Sequence, residues 1–315
     1  MNQRAKEERE WQLKQLAKDK QFNQWIERKY NITAQELIAR VHDGVVRINK
    51  NTIVTPQQMV DFYQMEQGIN DDVEDTDQEH IDKDDLKTQI KERTDVLKAT
   101  SMINQKEYLK SILGLITVKL GLTLTTKVGK KLFQDASDEI KRQNTLNSKY
   151  SADEKHEKIK PSVWNSKKIK ELIYANTEKQ NFSSSLWADI DTLKATIDSV
   201  ISRGVAKGTS NQEMAKYLQK ELRKNVANKK YLTERLARTE SAKVEFQVQH
   251  TTAKKQGFDY VKWHVEPGAC PTCLSISEAS PTKHGEGIYN IDDVPDIPVH
   301  PNCRCSISTY YTKDD

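Results

Sequence analysis

Five residues near the C-terminal end have the types and spacing to hold a metal ion. They are Cys270 and Cys273 in Cys-Pro-Thr-Cys, then His300, Cys303 and Cys305 in His-Pro-Asn-Cys-Arg-Cys. All four cysteines of the chain lie in this stretch. Four thiols confined to one short segment can close one site, and a Cys-x-x-Cys knuckle presents two sulfurs on a tight turn, as tetrahedral zinc requires. Cys303 and Cys305 are two apart, so on a strand they face the same side, with Ile307 continuing that face. The ligand set stays open between four cysteines and three cysteines with His300; His284 is an outsider to the pattern. A structural ion fits better than a catalytic one, because catalytic zinc keeps a coordination position open. Two other readings are a disulfide pair and small buried thiols that pack a β-hairpin.

Other reactive constellations are weaker. His264-Val-Glu266 followed by Pro267 and the Cys270/Cys273 knuckle looks like a compressed zinc-deaminase signature. That chemistry places the His and Glu on a helix packed against the cysteines. Here His264 falls in a predicted strand and too few residues separate Glu266 from Cys270. There is no Walker loop, no Gly-x-Gly-x-x-Gly and no Gly-x-Ser-x-Gly elbow. Arg235, Arg238 and Glu240 are charges on an otherwise packed helix. They read either as an anion or partner site or, preferably, as a helix-to-hairpin salt bridge in which Glu240 meets Arg304 or Arg235.

These residues need elements to position them. The chain has 315 residues, 30% charged and 7% aromatic, with a formal net charge of +4. The mean hydropathy is −0.81. This describes a polar, helix-rich protein of two or three domains. The most apolar run, Ile112 to Leu124, is short and carries Lys119, so it reads as a buried helix or strand rather than a membrane span. The first residues lack an apolar stretch after their charges, unlike a secretory signal. Asp71 to Asp85 is strongly acidic and reads as a solvated linker near 66–85. A calcium loop would need a central glycine and a terminal glutamate at EF-hand positions, which the run lacks.

In the first half, Trp11, Leu13, Leu16, Phe22, Trp25 and Ile26 recur at helical intervals, and Thr33 to Glu36 resembles a capping box. Pro56 suits a first helical turn. Leu86–Ser111 and Lys127–Arg142 read as helices, with Gly114, Gly121 and Gly129 breaking the segment between. The β-branched Ile116 to Thr126 reads as a candidate strand. Pro161 marks a boundary. Farther on, Ser184 caps a helix through Trp187, Ile190, Leu193 and Ile197 that ends at Gly204. Ser210 to Glu213 forms a capping box before Met214, Leu218 and Leu222. A longer helix from about Lys230 to Gln256 ends at Gly257. The period then becomes two: Val261, Trp263 and Val265 share one strand face, and a partner strand fits at Cys303 to Tyr310. The expected fold is α+β, predominantly helical, with a small C-terminal Cys-rich β-hairpin module. The expected segments are 1–160, 161–258 and 259–315.

The order of these motifs resembles a known family. Ala237-Arg-Thr-Glu240, a helix ending at Gly257, a strand bearing Trp263, Cys-Pro-x-Cys and His-Pro-Asn-Cys-Arg-Cys occur in sequence. Upstream stand Phe182-Ser-x-x-Leu-Trp187 and Ile201-x-x-Gly204-x-x-x-Gly208-x-Ser210. The string is similar to the minor head proteins of tailed phages, the group named after protein F of phage Mu. It covers about Trp164 to Tyr311. The segment Ser275 to Asp296 is longer than the family pattern.

The resemblance implies a non-enzymatic virion component inside the head, assembled in the bacterial cytoplasm, where thiols stay reduced. Its partners would be the portal protein, major capsid or scaffold proteins, and double-stranded DNA bound without sequence preference. Its roles would be head morphogenesis and DNA packaging or ejection. Arg238, Glu240, Trp263 and Arg304 would be structural motif positions, and one structural zinc the cofactor. Basic helix faces suit phosphate contacts, with Arg223, Lys224, Lys229 and Lys230 as candidates, although solvated helices carry such residues too. From another class, a zinc-dependent nucleic-acid-binding protein or enzyme would use His264 and Glu266.

Overall fold

A computed structural model describes residues 3–43, 53–153, 163–175 and 181–310. The fold is α+β and predominantly helical, as expected. In chain order the elements are α1 (Gln3–His42), α2 (Pro56–Glu74), α3 (Lys83–Ser101), α4 (Gln105–Asp153), α5 (Ser166–Ile173), α6 (Phe182–Ala206), α7 (Asn211–Lys255), β1 (Tyr260–His264), α8 (Pro271–Glu278), β2 (Ile288–Asn290) and β3 (Ser306–Tyr310). Two compact units form, neither contiguous in sequence. One takes 1–23, 129–175 and 234–315; the other takes 24–128 and 176–233. The units therefore cut across the three consecutive segments suggested by sequence, because α1, α4 and α7 each contribute to both. Pro161 lies outside the described residues.

The second unit is built by apolar helix packing. Along α1 it buries Ile26, Tyr30, Leu37 and Val41, and Tyr30 shares a hydrogen bond with Thr233 of α7 at 2.9 Å. Ile116 to Thr126 is interior to α4, not strand. Its glycines do not break the helix; they let neighbours approach. A Cβ on Gly121 would lie 2.4 Å from the Trp187 ring, and one on Gly114 would lie 2.4 Å from Leu97. Trp187 is almost fully buried. The Arg93 guanidinium sits 4.5 Å from its ring centroid and also binds Asp191 through Nε and Nη2 at 2.8 and 2.7 Å. The most apolar window of α4 passes a membrane-span test by length and composition, yet 78% of it is buried inside the protein.

Several sequence boundaries move, each for a local reason. The Thr33–Glu36 box lies inside α1. Asn181, not Ser184, caps α6, accepting from the Ser184 backbone N–H. Gly204 lies within α6 against Met214, and the helix ends at Ala206. The Ser210–Glu213 box is present, with Glu213 N–H donating to Ser210 Oγ and Ser210 N–H to the Glu213 carboxylate, both at 3.3 Å. It opens a single helix, α7, instead of two. Thr55 and Gln58 form a capping box ahead of Pro56. The acidic stretch is a helical corner: α2 runs to Glu74, Asp82 caps α3, and Ile69, Val73 and Ile81 are buried between them.

The first unit holds the sheet, ordered β2-β1-β3. Gly257, with φ +80°, turns the chain out of α7 as expected of a C′ residue. β1 pairs antiparallel with β3, Trp263 opposite Ile307, and with β2, Val261 opposite Tyr289. The long segment Ser275–Asp296 thus supplies a third strand. The inward face, Val261, Trp263 and Ile307, packs with Phe246 of α7 and with Cys273 and Cys303.

The close approach at Gly121 yields a direct expectation. Trp187 is pinned by burial and by Arg93, so it cannot retreat from an added methyl. Gly121→Ala should lower unfolding stability by about 1–3 kcal/mol, the usual cost of overpacking. A urea midpoint unchanged from the parent protein would show that the helix can shift to make room.

Candidate metal centre

The cysteine site is assembled from two pieces of the first unit. Cys270 is the N-cap of α8 and Cys273 sits in its first turn, so the knuckle is the start of a helix. His300 and Cys303 come from the turn before β3, where Cys303 N–H donates to His300 carbonyl at 3.1 Å. Asn302 holds φ +70° there, a left-handed position that asparagine tolerates. The donor atoms form two overlapping triads that share Cys273: Cys270, Cys273 and His300, then Cys273, Cys303 and Cys305. His284 lies elsewhere, its ring 4.5 Å from that of Tyr260. The four cysteines are free thiols.

The distances suit a tetrahedral ion. Bonds of about 2.3 Å to sulfur and about 2.0 Å to nitrogen put sulfur pairs about 3.8 Å apart and sulfur–nitrogen pairs about 3.5 Å apart. Cys273 Sγ lies 3.9 Å from Cys303 Sγ and 3.4 Å from His300 Nε2; Cys270 Sγ lies 3.1 Å from the same nitrogen. His300 Nδ1 is 2.9 Å from the Pro301 carbonyl. That contact fixes the proton on Nδ1 and leaves the Nε2 lone pair facing the sulfurs, the orientation a metal-bound histidine adopts. A hydrogen bond from Cys305 holds the Cys303 thiol down to about 6, while the same bond and burial push Cys305 up. Burial pushes Cys273 up to about 12. A metal ion at these sulfurs would displace their protons, so its binding would strengthen as pH rises.

The motif residues around the site are tied into the fold. Glu266 accepts from Arg304 backbone N–H at 2.8 Å and from Arg238 Nη2 at 2.6 Å. Arg238 Nε donates to the Asn302 carbonyl at 2.7 Å. Arg304 is 2% exposed; it donates to Asp19 through Nε and Nη2 at 2.8 and 2.7 Å and to Glu245 through Nη1 at 2.8 Å. A helix-to-hairpin salt bridge therefore exists, but Glu240 does not make it; Glu240 pairs with Lys243 on its own helix. Asp19 and Glu245 were missed by sequence reasoning, since nothing in a lone acidic residue on a charged helix marks it as buried. His264 is in β1, away from the sulfurs, and is bonded to Ser308 Oγ at 2.8 Å. Neither His264 nor Glu266 belongs to the groups of donor atoms around the cysteines.

The basic candidates divide. Arg223 and Lys224 are exposed on α7, on the same face as exposed Lys216 and Lys220. Lys229 is buried and bonded to Asp189 at 2.6 Å, and Lys230 pairs with Glu27 at the surface of the second unit at 3.1 Å. Comparison with protein-family models, with characterised proteins and with solved structures returns no match.

Burial lowers His264 to about 4, although the nearby Glu8 carboxylate pulls the other way. A base held neutral in the fold loses stability as pH falls from its unfolded value of about 6.5 toward 4, a window worth about 3 kcal/mol. Glu245 slopes oppositely, because burial, then Asp135 and Glu139, raise it to about 8 against Arg304. Comparison with His264→Gln isolates the histidine. The parent protein should lose about 3 kcal/mol relative to the variant between pH 6.5 and 4; parallel stability curves would mean His264 is solvated.

Proposed function

We propose that this chain is a structural minor head protein of a tailed phage, acting at the portal in head morphogenesis and in DNA packaging or ejection. The observation that carries the reading is the ordered motif string from Ala237 to Cys305. Its separate pieces meet in one module: Arg238 clamps Asn302 and Glu266, and the two Cys/His groups share one cluster. These residues hold and fix rather than react. Glu266, the one carboxylate beside the knuckle in sequence, is bonded to Arg238 and the Arg304 backbone. Contact with DNA falls to the exposed Lys216, Lys220, Arg223 and Lys224, which can reach phosphates without reading bases.

One zinc closes the module, held by Cys270, Cys273, His300 and Cys303. Cys305 is left as the neighbour that hydrogen-bonds Cys303. The reasons are the His300 orientation and the near-tetrahedral spacings around Cys273. When bound, the ion supplies cross-linking alone.

Two measurements test the reading. Mass spectrometry of purified virions should find this polypeptide in few copies per particle, and its absence from intact heads would end the proposal. Protein purified under reducing, chelator-free conditions should carry about one zinc per chain. Cys273→Ser should lose it and Cys305→Ser should keep it; equal loss from both would assign four cysteine ligands instead.

A further inference from the structure

In the first unit α1 turns an unusual face inward. Its buried positions there are Glu8, Gln12, Gln15 and Asp19, at 0%, 3%, 2% and 4% exposure. The spacing is that of a buried helical stripe, but every member is polar. Leu13, which a hydrophobic reading would bury, is half exposed. An apolar stripe adheres to any apolar surface; a polar one is seated by the partners it meets, and here Glu8, Gln12 and Asp19 meet theirs while the buried Gln15 amide has no hydrogen-bond partner among the described residues.

Those partners come largely from the chain immediately after Cys303. Asp19 takes two bonds from Arg304. Gln12 Nε2 donates to Ser306 Oγ and to the His264 carbonyl, each at 3.2 Å. Ser306 Oγ donates to Glu8 at 3.2 Å, and Arg4 donates to Thr309 Oγ1. Lys131 and Arg142 of α4 complete the seat, binding Asp19 at 3.1 Å and Glu8 at 2.7 Å. Residues 304–309 are thus a template for α1, and Arg304, between Cys303 and Cys305, is its entry point.

Resting on the metal reading above, we infer that ion binding at the cysteine site latches the N-terminal part of α1, residues 3–23. The ion fixes His300 and Cys303. Asn302, held by Arg238 and Thr239, and Glu266 on the Arg304 N–H pass that position to Arg304. Its guanidinium then reaches Asp19 and Glu245 together. Without the ion the turn loses its anchor, Arg304 leaves register, and Asp19 faces a buried site one cation short. The helix is released, and Ser306 and Thr309 of β3 lose the α1 side chains bonded to them.

The test is hydrogen exchange on the full chain, with zinc bound and after chelation under reducing conditions, with metal content measured in parallel. Peptides covering 8–19 should exchange at least about tenfold faster after chelation, a coupling within the usual range, while α3 (83–101) is unchanged. Coupling is reciprocal, so Asp19→Asn should weaken zinc binding by a similar factor. Stoichiometric zinc with unchanged exchange at 8–19 overturns the latch and leaves the metal reading standing. Absence of zinc overturns both. If α3 also opens, the Asp19→Asn affinity decides: weaker binding supports the latch, unchanged affinity overturns it.

Discussion

The first unit depends on one buried guanidinium. Arg304 is almost wholly removed from water, and its three side-chain bonds go to two carboxylates from helices at opposite ends of the sequence. Burying such a group is costly unless its donors are met with good geometry. Arginine suits the position because its planar fork grips Asp19 with two parallel bonds and still turns a third donor to Glu245. A lysine would offer one point charge and no fork. Much of the unit is arranged around that constraint. Glu266 fixes the backbone of Arg304, Arg238 fixes Glu266, and the turn carrying His300 and Cys303 is held in consequence.

Around Arg304 the interior is a network of charge rather than a hydrophobic core. Lys131 binds both Asp19 and Asp135, Ser241 donates to Asp135 at 2.7 Å, and Arg142 bridges Glu8 and Glu139. Gln249 adds bonds to Glu139 and, through its carbonyl, accepts the Ile307 backbone N–H at 2.9 Å, so a side chain covers the outer edge of β3. The buried carboxylates Glu8, Asp19, Asp135, Glu139 and Glu245 face Arg142, Lys131 and Arg304. Burial and the neighbouring acids, opposed by Arg304 and Lys131, raise Glu245, which therefore keeps its proton most readily. Such a network adds little net stability, but it admits one arrangement of helices and strands, which apolar surfaces alone would not impose.

What the sequence made legible was local and periodic. The alternation around Trp263 gave β1 and its inward face, Gly257 gave the end of α7, and Ser210 with Glu213 gave its start. The cysteine and histidine groups were visible because few residue types bind metal and these were concentrated together. Two kinds of feature were hidden. Gly114 and Gly121 look like breaks in α4 until Leu97 and Trp187 are seen filling the space they leave; propensity was overridden by packing. The inward stripe of α1 was read a third of a turn away, on Trp11 and Leu13, because period analysis follows apolar residues and this stripe has none. Lys229 failed likewise, since its Asp189 partner lies on another helix.

The two units solve the same problem differently. In the second, long helices bury isoleucine, leucine and tryptophan against glycine-lined faces, and contact area alone is sufficient. In the first, the sheet has strands of only five, three and five residues. A sheet so short cannot stand alone. Part of its inward layer is Cys273, Cys303 and Cys305, small side chains that fill little volume. It faces a polar network on another side. Apolar burial is therefore thin where the turn before β3 must be held most exactly in register. The metal cross-link proposed at Cys270, Cys273, His300 and Cys303 would supply a constraint that neither the short strands nor the small thiols provide. The sulfurs pack against Trp263 and Ile307 and, with an ion bound, would also fasten the turn that leads to Arg304.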